Sequence, residues 1–261
     1  PYILYRGITI FLVVIAYVLF REGRNFFNSL KRIDIWSIFG GLVLSLTMFG
    51  WVYAITTTTV AVTLLMLALS PILTAFLGYL ILGERLSRVT LVNIVIVLAG
   101  VIIMVSGAEK SSTIIGVTYG FFMALGFSIY TITIRHNPDI PKLLTPGLAG
   151  FFGLILASIL IIATGSSFEM SPINIGISVI NGLIVAVGLI LFGLGAKYLP
   201  SAELVLLTML EVVAGIFWAW LPIIGINEIP ETNTLICGFF ILTAIAFQGI
   251  ATRKKHIIPM L

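Results

Sequence analysis

One carboxyl group stands out because of where it lies. Glu211 sits near the centre of an unbroken apolar run, 203–224, long enough to cross a bilayer. An ionisable side chain at that depth costs on the order of 3 kcal/mol, so such groups face a water-filled path, a partner or a ligand. Helical steps of three and four residues place Leu204, Thr208, Glu211, Gly215, Trp218 and Pro222 on one stripe. That stripe sets a carboxyl beside a hydroxyl, a small residue and an aromatic ring. These groups suit a small polar solute and the exchange of a proton or cation. The competing reading makes Glu211 a protonated hydrogen-bonding group that only joins helices.

A second candidate lies in the run 60–82, where Ser70 precedes Pro71. Proline gives no amide hydrogen to the carbonyl one turn back. The freed carbonyl is then available to a substrate, or a plain kink forms and the Ser70 hydroxyl fills it. Trp51, Tyr53, Tyr119, Tyr130, Trp218 and Trp220 are candidates for stacking on a solute, whereas Trp36 and Tyr198 read as residues of the membrane interface. Asn93, Asn181 and Gln248 are explained by hydrogen bonds between helices. Glu84 and Glu228 fall at helix ends where water reaches them, as does Glu203, and Arg85 and Arg88 read as surface anchors. Arg6, inside the first run, either snorkels to the interface or faces a helix that precedes Pro1.

Other chemistries lack their residues. His136 and His256 have no Cys, His or carboxylate at ligand spacing, so no metal site is expected. No glycine-rich loop followed by Lys-Ser/Thr occurs, and no carboxylate cluster suited to Mg²⁺ on a diphosphate. The expectation is no enzyme, no cofactor and no nucleic-acid partner.

The elements that must position these groups follow from composition. Of 261 residues, 60% are apolar and 9% charged, with a mean hydropathy of +1.21, which describes an integral membrane protein. One cysteine, Cys237, cannot form a disulfide within the chain. Nine apolar runs of roughly membrane length appear, at 3–20, 35–55, 60–82, 89–105, 115–134, 147–163, 175–194, 203–224 and 234–250. Basic residues sort by side. Arg21, Arg24, Lys31, Arg32, Arg85, Arg88, Arg135, Lys142, Lys197, Arg253, Lys254 and Lys255 share one side, and Lys110 stands alone on the other. The positive-inside rule therefore predicts a cytoplasmic C-terminus in the cytoplasmic (inner) membrane, with 136–146 cytoplasmic and 165–173 and 225–231 external. Pro1 then starts outside, and a preceding helix would place both ends inside.

Internal similarity comes next. Setting Pro71 over Val212 brings Thr59-Val60-Ala61 over Pro200-Ser201-Ala202 and Ser70 over Glu211, and a short gap brings Gly83-Glu84 over Asn227-Glu228. The paired spans stand five places apart in the chain, so the two halves enter the membrane in opposite directions, in the manner of inverted-repeat transporters. This order of short motifs resembles the EamA-like family of the drug/metabolite transporter superfamily. The first copy reads Thr56 to Thr59, Ser70-Pro71 and Gly83-Glu84-Arg85-Leu86, and the second Leu199-Pro200-Ser201-Ala202-Glu203, Leu210-Glu211 and Asn227-Glu228. The second departs from the pattern with Val212 in place of Pro and Asn227 in place of Gly.

The resemblance implies an all-α integral membrane protein of two inverted five-helix repeats, 1–110 and 111–261. Nine transmembrane helices are present and the first of a ten-helix bundle is expected to be missing. It implies a secondary transporter of a small metabolite, such as an amino acid, nucleotide precursor, vitamin or drug-like compound, working by alternating access. Export is the expected direction, and the chain is expected to act as a monomer or homodimer among membrane lipids. Glu211, Ser70, Thr208, Trp218 and Pro71 are the expected substrate-binding or coupling residues, with a proton or cation as coupling ion. A non-transporting scaffold or receptor-like subunit is the alternative.

Overall fold

The structure is a computed structural model that describes residues 1–58, 60–84, 87–107, 114–136, 141–220 and 232–257. In chain order its helices are α1 (Tyr2–Glu22), α2 (Phe26–Lys31), α3 (Ile35–Thr57), α4 (Val60–Leu67), α5 (Ser70–Leu82), α6 (Arg88–Gly107), α7 (Ile114–His136), α8 (Leu144–Ala163), α9 (Pro172–Gly195), α10 (Ser201–Thr208), α11 (Leu210–Trp220) and α12 (Thr232–Ile257). No strand occurs among the described residues. Every apolar run of the sequence is helical where described, apart from turns at Ala68-Leu69 and Met209. Among the described residues, five helical segments are long and apolar enough to span a membrane unaided: Tyr2–Lys31, Ile35–Thr57, Ile114–His136, Leu144–Ala163 and Pro172–Gly195.

The chain forms two compact units, Pro1–Val52 with Ile129–Leu199, and Tyr53–Ser128 with Pro200–Leu261. Each unit takes elements from both halves of the sequence, so compact packing and sequence repetition divide this chain differently.

In the first unit α1 packs on α8 and α9. Helices in lipid gain nothing from hiding apolar surface, so they hold together by close backbone approach at small residues. A Cβ on Gly150 would lie 2.6 Å from the amide nitrogen of Phe11, and one on Gly182 would lie 2.9 Å from the Arg6 carbonyl. Leu4, Phe49, Ala157 and Ile161 fill one end of this packing. Arg6 is buried, 7% exposed, and does not snorkel as one reading of the sequence expects. Asp34 starts α3 by accepting hydrogen bonds from the Ser37 amide (2.8 Å) and hydroxyl (2.7 Å), a side-chain cap on the free amides of the first turn.

In the second unit α12 packs on α6, α10 on α5, and α11 on α4. Two of its spans correct the expectation of unbroken helices. The run 60–82 divides into α4 and α5 at Ala68-Leu69, and the run 203–224 divides into α10 and α11 at Met209. At both breaks the ladder tightens to the three-residue step of a 3₁₀ turn. Leu69 donates to Met66 and Ile72 to Leu69, each at 3.1 Å, while Met209 donates to Leu206 and Val212 to Met209, also at 3.1 Å. Pro71 favours the first break, because its ring displaces the carbonyl one turn back and it has no N–H to offer. The second has no proline.

Candidate functional site

The two broken spans lie side by side and run in opposite directions. The end of α5 meets the start of α10, where Glu84 Oε2 accepts from the Ser201 amide at 3.0 Å and from its hydroxyl. Ala75 of α5 clusters with Ala202 of α10 and Ile94 of α6. Further along, Gly215 of α11 lies against Leu64 of α4, whose Cδ1 would be 3.2 Å from an added Cβ. Reading from Ala75 back to Leu64 therefore means reading from Ala202 on to Gly215. Between these contacts the break at Ala68-Leu69 comes level with the break at Met209.

The tightened turns also correct the sequence alignment by one position. Val60 and Leu67 bound α4 as Ser201 and Thr208 bound α10, so the halves before the breaks correspond as aligned. Beyond the breaks Leu69 matches Met209 and Ile72 matches Val212 in their hydrogen bonds. The second turn is one residue shorter, and Glu211 takes the place of Pro71 instead of Ser70.

Ser70 and Thr74 stand one helical turn apart on α5, both fully buried, and neither hydroxyl has a hydrogen-bond partner. The Ser70 hydroxyl therefore does not fill the proline kink. Ser128 of α7 reaches the kink instead, with its hydroxyl directed at the Ser70 carbonyl (3.1 Å) and at its own helix at Ala124 (2.8 Å). Pro71 is buried beside them.

Thr208 is half-buried and donates to the Val205 carbonyl at 2.7 Å, so its hydroxyl hydrogen serves its own backbone. Glu211, in the first turn of α11, is exposed together with Ala214 and Trp218. The stripe expected from ideal helical steps is not continuous, because the turn at Met209 leaves Leu204 buried while Glu211 and Trp218 are exposed.

The far end of α5 explains the Gly83-Glu84 pair. Gly83 takes the left-handed conformation (φ 64°) that L side chains resist, and the Glu84 amide closes back on Gly78 at 3.1 Å. The turn delivers the Glu84 carboxylate to the free amides of α10, so Glu84 sets the end of a second helix as well as its own. Glu203 is buried, not water-exposed as expected, because α10 packs on α5 and places it near α6. Thr90 Oγ1 lies 3.5 Å from Glu203 Oε1 and 2.8 Å from the Ser87 hydroxyl.

The aromatic candidates separate. Tyr53 and Tyr119 stack at 5.3 Å in the second unit and stay partly exposed. Tyr130 is wholly buried against Phe192 at 6.1 Å in the first unit, a core position and not a cavity wall. Asn93 is fully buried. Lys110, Arg85, Pro222, Asn227 and Glu228 lie outside the described residues, as do the side chains of Trp220, Cys237 and Gln248. Among the described residues no group of three His, Cys, Asp or Glu is arranged to hold a metal ion.

Thr74, Ser128 and the Glu84–Ser201 contact were not among the sequence candidates. Thr74 is Ser70 plus one helical turn, which is a usable signal. Ser128 had none, because its role depends on how α7 packs.

Comparison with known proteins agrees with this architecture. Residues 2–106 match the EamA-like transporter family. A curated protein of Clostridium kluyveri, described as an "Uncharacterized transporter", is 26% identical over 232 residues, covering 83% of this chain and 72% of that protein. A solved structure described as "Crystal structure of protein" superposes with a TM-score of 0.75 at 18% identity, covering 97% of this chain and 89% of that one, a likeness of fold. Membrane-length apolar helices and the match of residues 2–106 to the EamA-like transporter family lead to one conclusion: this chain is an integral membrane protein, and the likenesses support a role in membrane transport.

Proposed function

We propose that the chain is a secondary active transporter that moves a small metabolite across the cytoplasmic membrane by alternating access, with its substrate site at the crossing of α4/α5 and α10/α11. The observation that carries this reading is the pairing of two tightened helix breaks, level with each other in antiparallel spans. A backbone broken at membrane depth is tolerated where protein or a cavity surrounds it, and inverted-repeat transporters use such breaks to bind solutes. Ser70 and Thr74 supply the hydroxyls for the polar part of the substrate. A buried hydroxyl without a partner costs on the order of 1–3 kcal/mol, which a bound polar group offsets. Pro71 holds the first break open, Thr208 positions the turn into α11, and Trp218 closes one side.

Glu211 is the coupling group. Alternating access changes the hydration of a carboxyl, and a group that binds protons differently in two states ties their equilibrium to a proton gradient. The sorting of basic residues supports a cytoplasmic C-terminus, the two inverted repeats are taken as 1–110 and 111–261, and export is the direction adopted. The substrate is an amino acid, nucleotide precursor, vitamin or drug-like compound with at least one hydrogen-bonding group.

A ligand panel of these classes, plus cationic drugs, added to the protein in detergent tests the reading, because binding the folded state raises its stability. One class should raise Tm and then exchange across proteoliposomes containing the protein. No shift from any class, with no flux, would return the chain to a scaffold role.

A further inference from the structure

One end of the first unit gathers cations that the transport reading does not use. Arg135, in the last turn of α7, donates through Nη1 to the Ala196 carbonyl at 3.0 Å and to the Leu199 carbonyl, so its guanidinium closes the C-terminus of α9 on both sides of Lys197. Lys142 reaches the same helix end through its backbone. A Cβ on Gly193 would lie 2.9 Å from the Lys142 carbonyl, an approach only glycine admits. Three basic residues, Arg135, Lys142 and Lys197, therefore meet at the C-terminal end of α9.

The negative end of the α9 dipole favours cations here, but Arg135 already engages the terminal carbonyls. Lys142 and Lys197 remain with donors to spare. Partial burial first, and then the charges of Arg135 and Lys197, hold the Lys142 ammonium below the ordinary lysine pKa. The charges of Arg135 and Lys197 are positive like its own, so a ligand of opposite sign relieves their repulsion. The setting is interfacial. Tyr198, next to Lys197, is 78% exposed, and Trp36 packs at a tilt against His136, the neighbour of Arg135, with ring centroids 5.1 Å apart. Exposed Tyr and Trp of this kind settle at the level of lipid headgroups.

We propose that Lys142 and Lys197, with Arg135 as the positioning residue, bind a phosphate group, and that its natural occupant is the phosphodiester of an anionic lipid headgroup. Juxtamembrane basic clusters and basic pockets between helices are known to recognise such headgroups through charge and hydrogen bonds.

The test compares thermal unfolding of the purified chain in detergent with added phosphatidylglycerol, with phosphatidylcholine, and with phosphatidylcholine plus millimolar inorganic phosphate. Phosphatidylglycerol should raise Tm by several degrees over phosphatidylcholine. Lys142→Gln/Lys197→Gln should lose most of that increment, yet match or exceed the parent in phosphatidylcholine because the repulsion is gone. Native mass spectrometry of Lys197→Gln, a change at an exposed side chain, should show fewer retained phosphatidylglycerol molecules even if the double variant folds poorly. Inorganic phosphate reproducing the whole increment, with nothing added by phosphatidylglycerol, would keep the phosphate site and overturn its lipid occupant. Equal stabilisation of parent and double variant, or no response to either probe, would overturn the site.

Discussion

The break between α4 and α5 contains a proline and the break between α10 and α11 does not, yet both adopt the same tightened turn. Proline therefore eases the break but does not impose it. What the two breaks share is the antiparallel pairing, which brings Leu64 against Gly215 on one side of the breaks and Ala75 beside Ala202 on the other. What differs is the chemistry that follows each break. Past the first come two buried hydroxyls, and past the second comes one exposed carboxyl. A binding half and a coupling half on one architecture is the division of labour this contrast suggests.

The largest effect expected from testing that contrast is on the carboxyl side. Glu211→Gln keeps the shape of the side chain and its capacity to hydrogen-bond but cannot titrate. The variant should fold normally and lose pH-driven accumulation in proteoliposomes, measured as uptake against an imposed pH gradient.

On the hydroxyl side, Ser70→Ala/Thr74→Val should lower transport about tenfold, which corresponds to about 1.4 kcal/mol of lost binding. Thermal stability should stay level or rise, because removing an unpartnered buried hydroxyl takes away a cost and no native hydrogen bond. A large drop in Tm would show that these hydroxyls hold the fold and do not serve a solute.

Smaller effects probe the scaffold around the breaks. Glu84→Ala removes the carboxylate that accepts from Ser201, and loss of such a cap should cost about 1 kcal/mol of stability in a denaturation series. Smallest of all is Val212→Pro. A proline inside a continuous helix costs about 3 kcal/mol, but here it forfeits one three-residue-step bond to Met209 at a turn already made. The loss should stay near 1 kcal/mol, and a loss near the full helix-interior value would mean that the backbone after Met209 behaves as continuous helix.

Much of this was legible in the sequence. Membrane-length apolar runs located the helices, since bilayer thickness fixes their length, and motif order pointed to the family whose model matches residues 2–106. Pro71 marked the first break. Met209 marks nothing by residue type, and only its alignment with Leu69 carries the signal, so an ideal-helix stripe from Leu204 to Pro222 was drawn through a turn that interrupts it. Glu203 read as a water-exposed end because its burial depends on α10 packing against α5. Arg6 and Tyr130 likewise owe their burial to partners distant in sequence, which local pattern does not encode.

The central claim is that solute binds where the breaks cross, and accessibility of the Thr74 position tests it most directly. Cys237 is the only native cysteine, so a Cys237→Ser background with Thr74→Cys gives one addressable thiol there. Maleimide labelling should proceed during turnover and slow markedly with the compound found in the ligand panel, while a control cysteine at exposed Ser167 should label at an unchanged rate. Labelling of Thr74→Cys that is indifferent to a compound the protein demonstrably transports would contradict the account and move the substrate site away from the paired breaks.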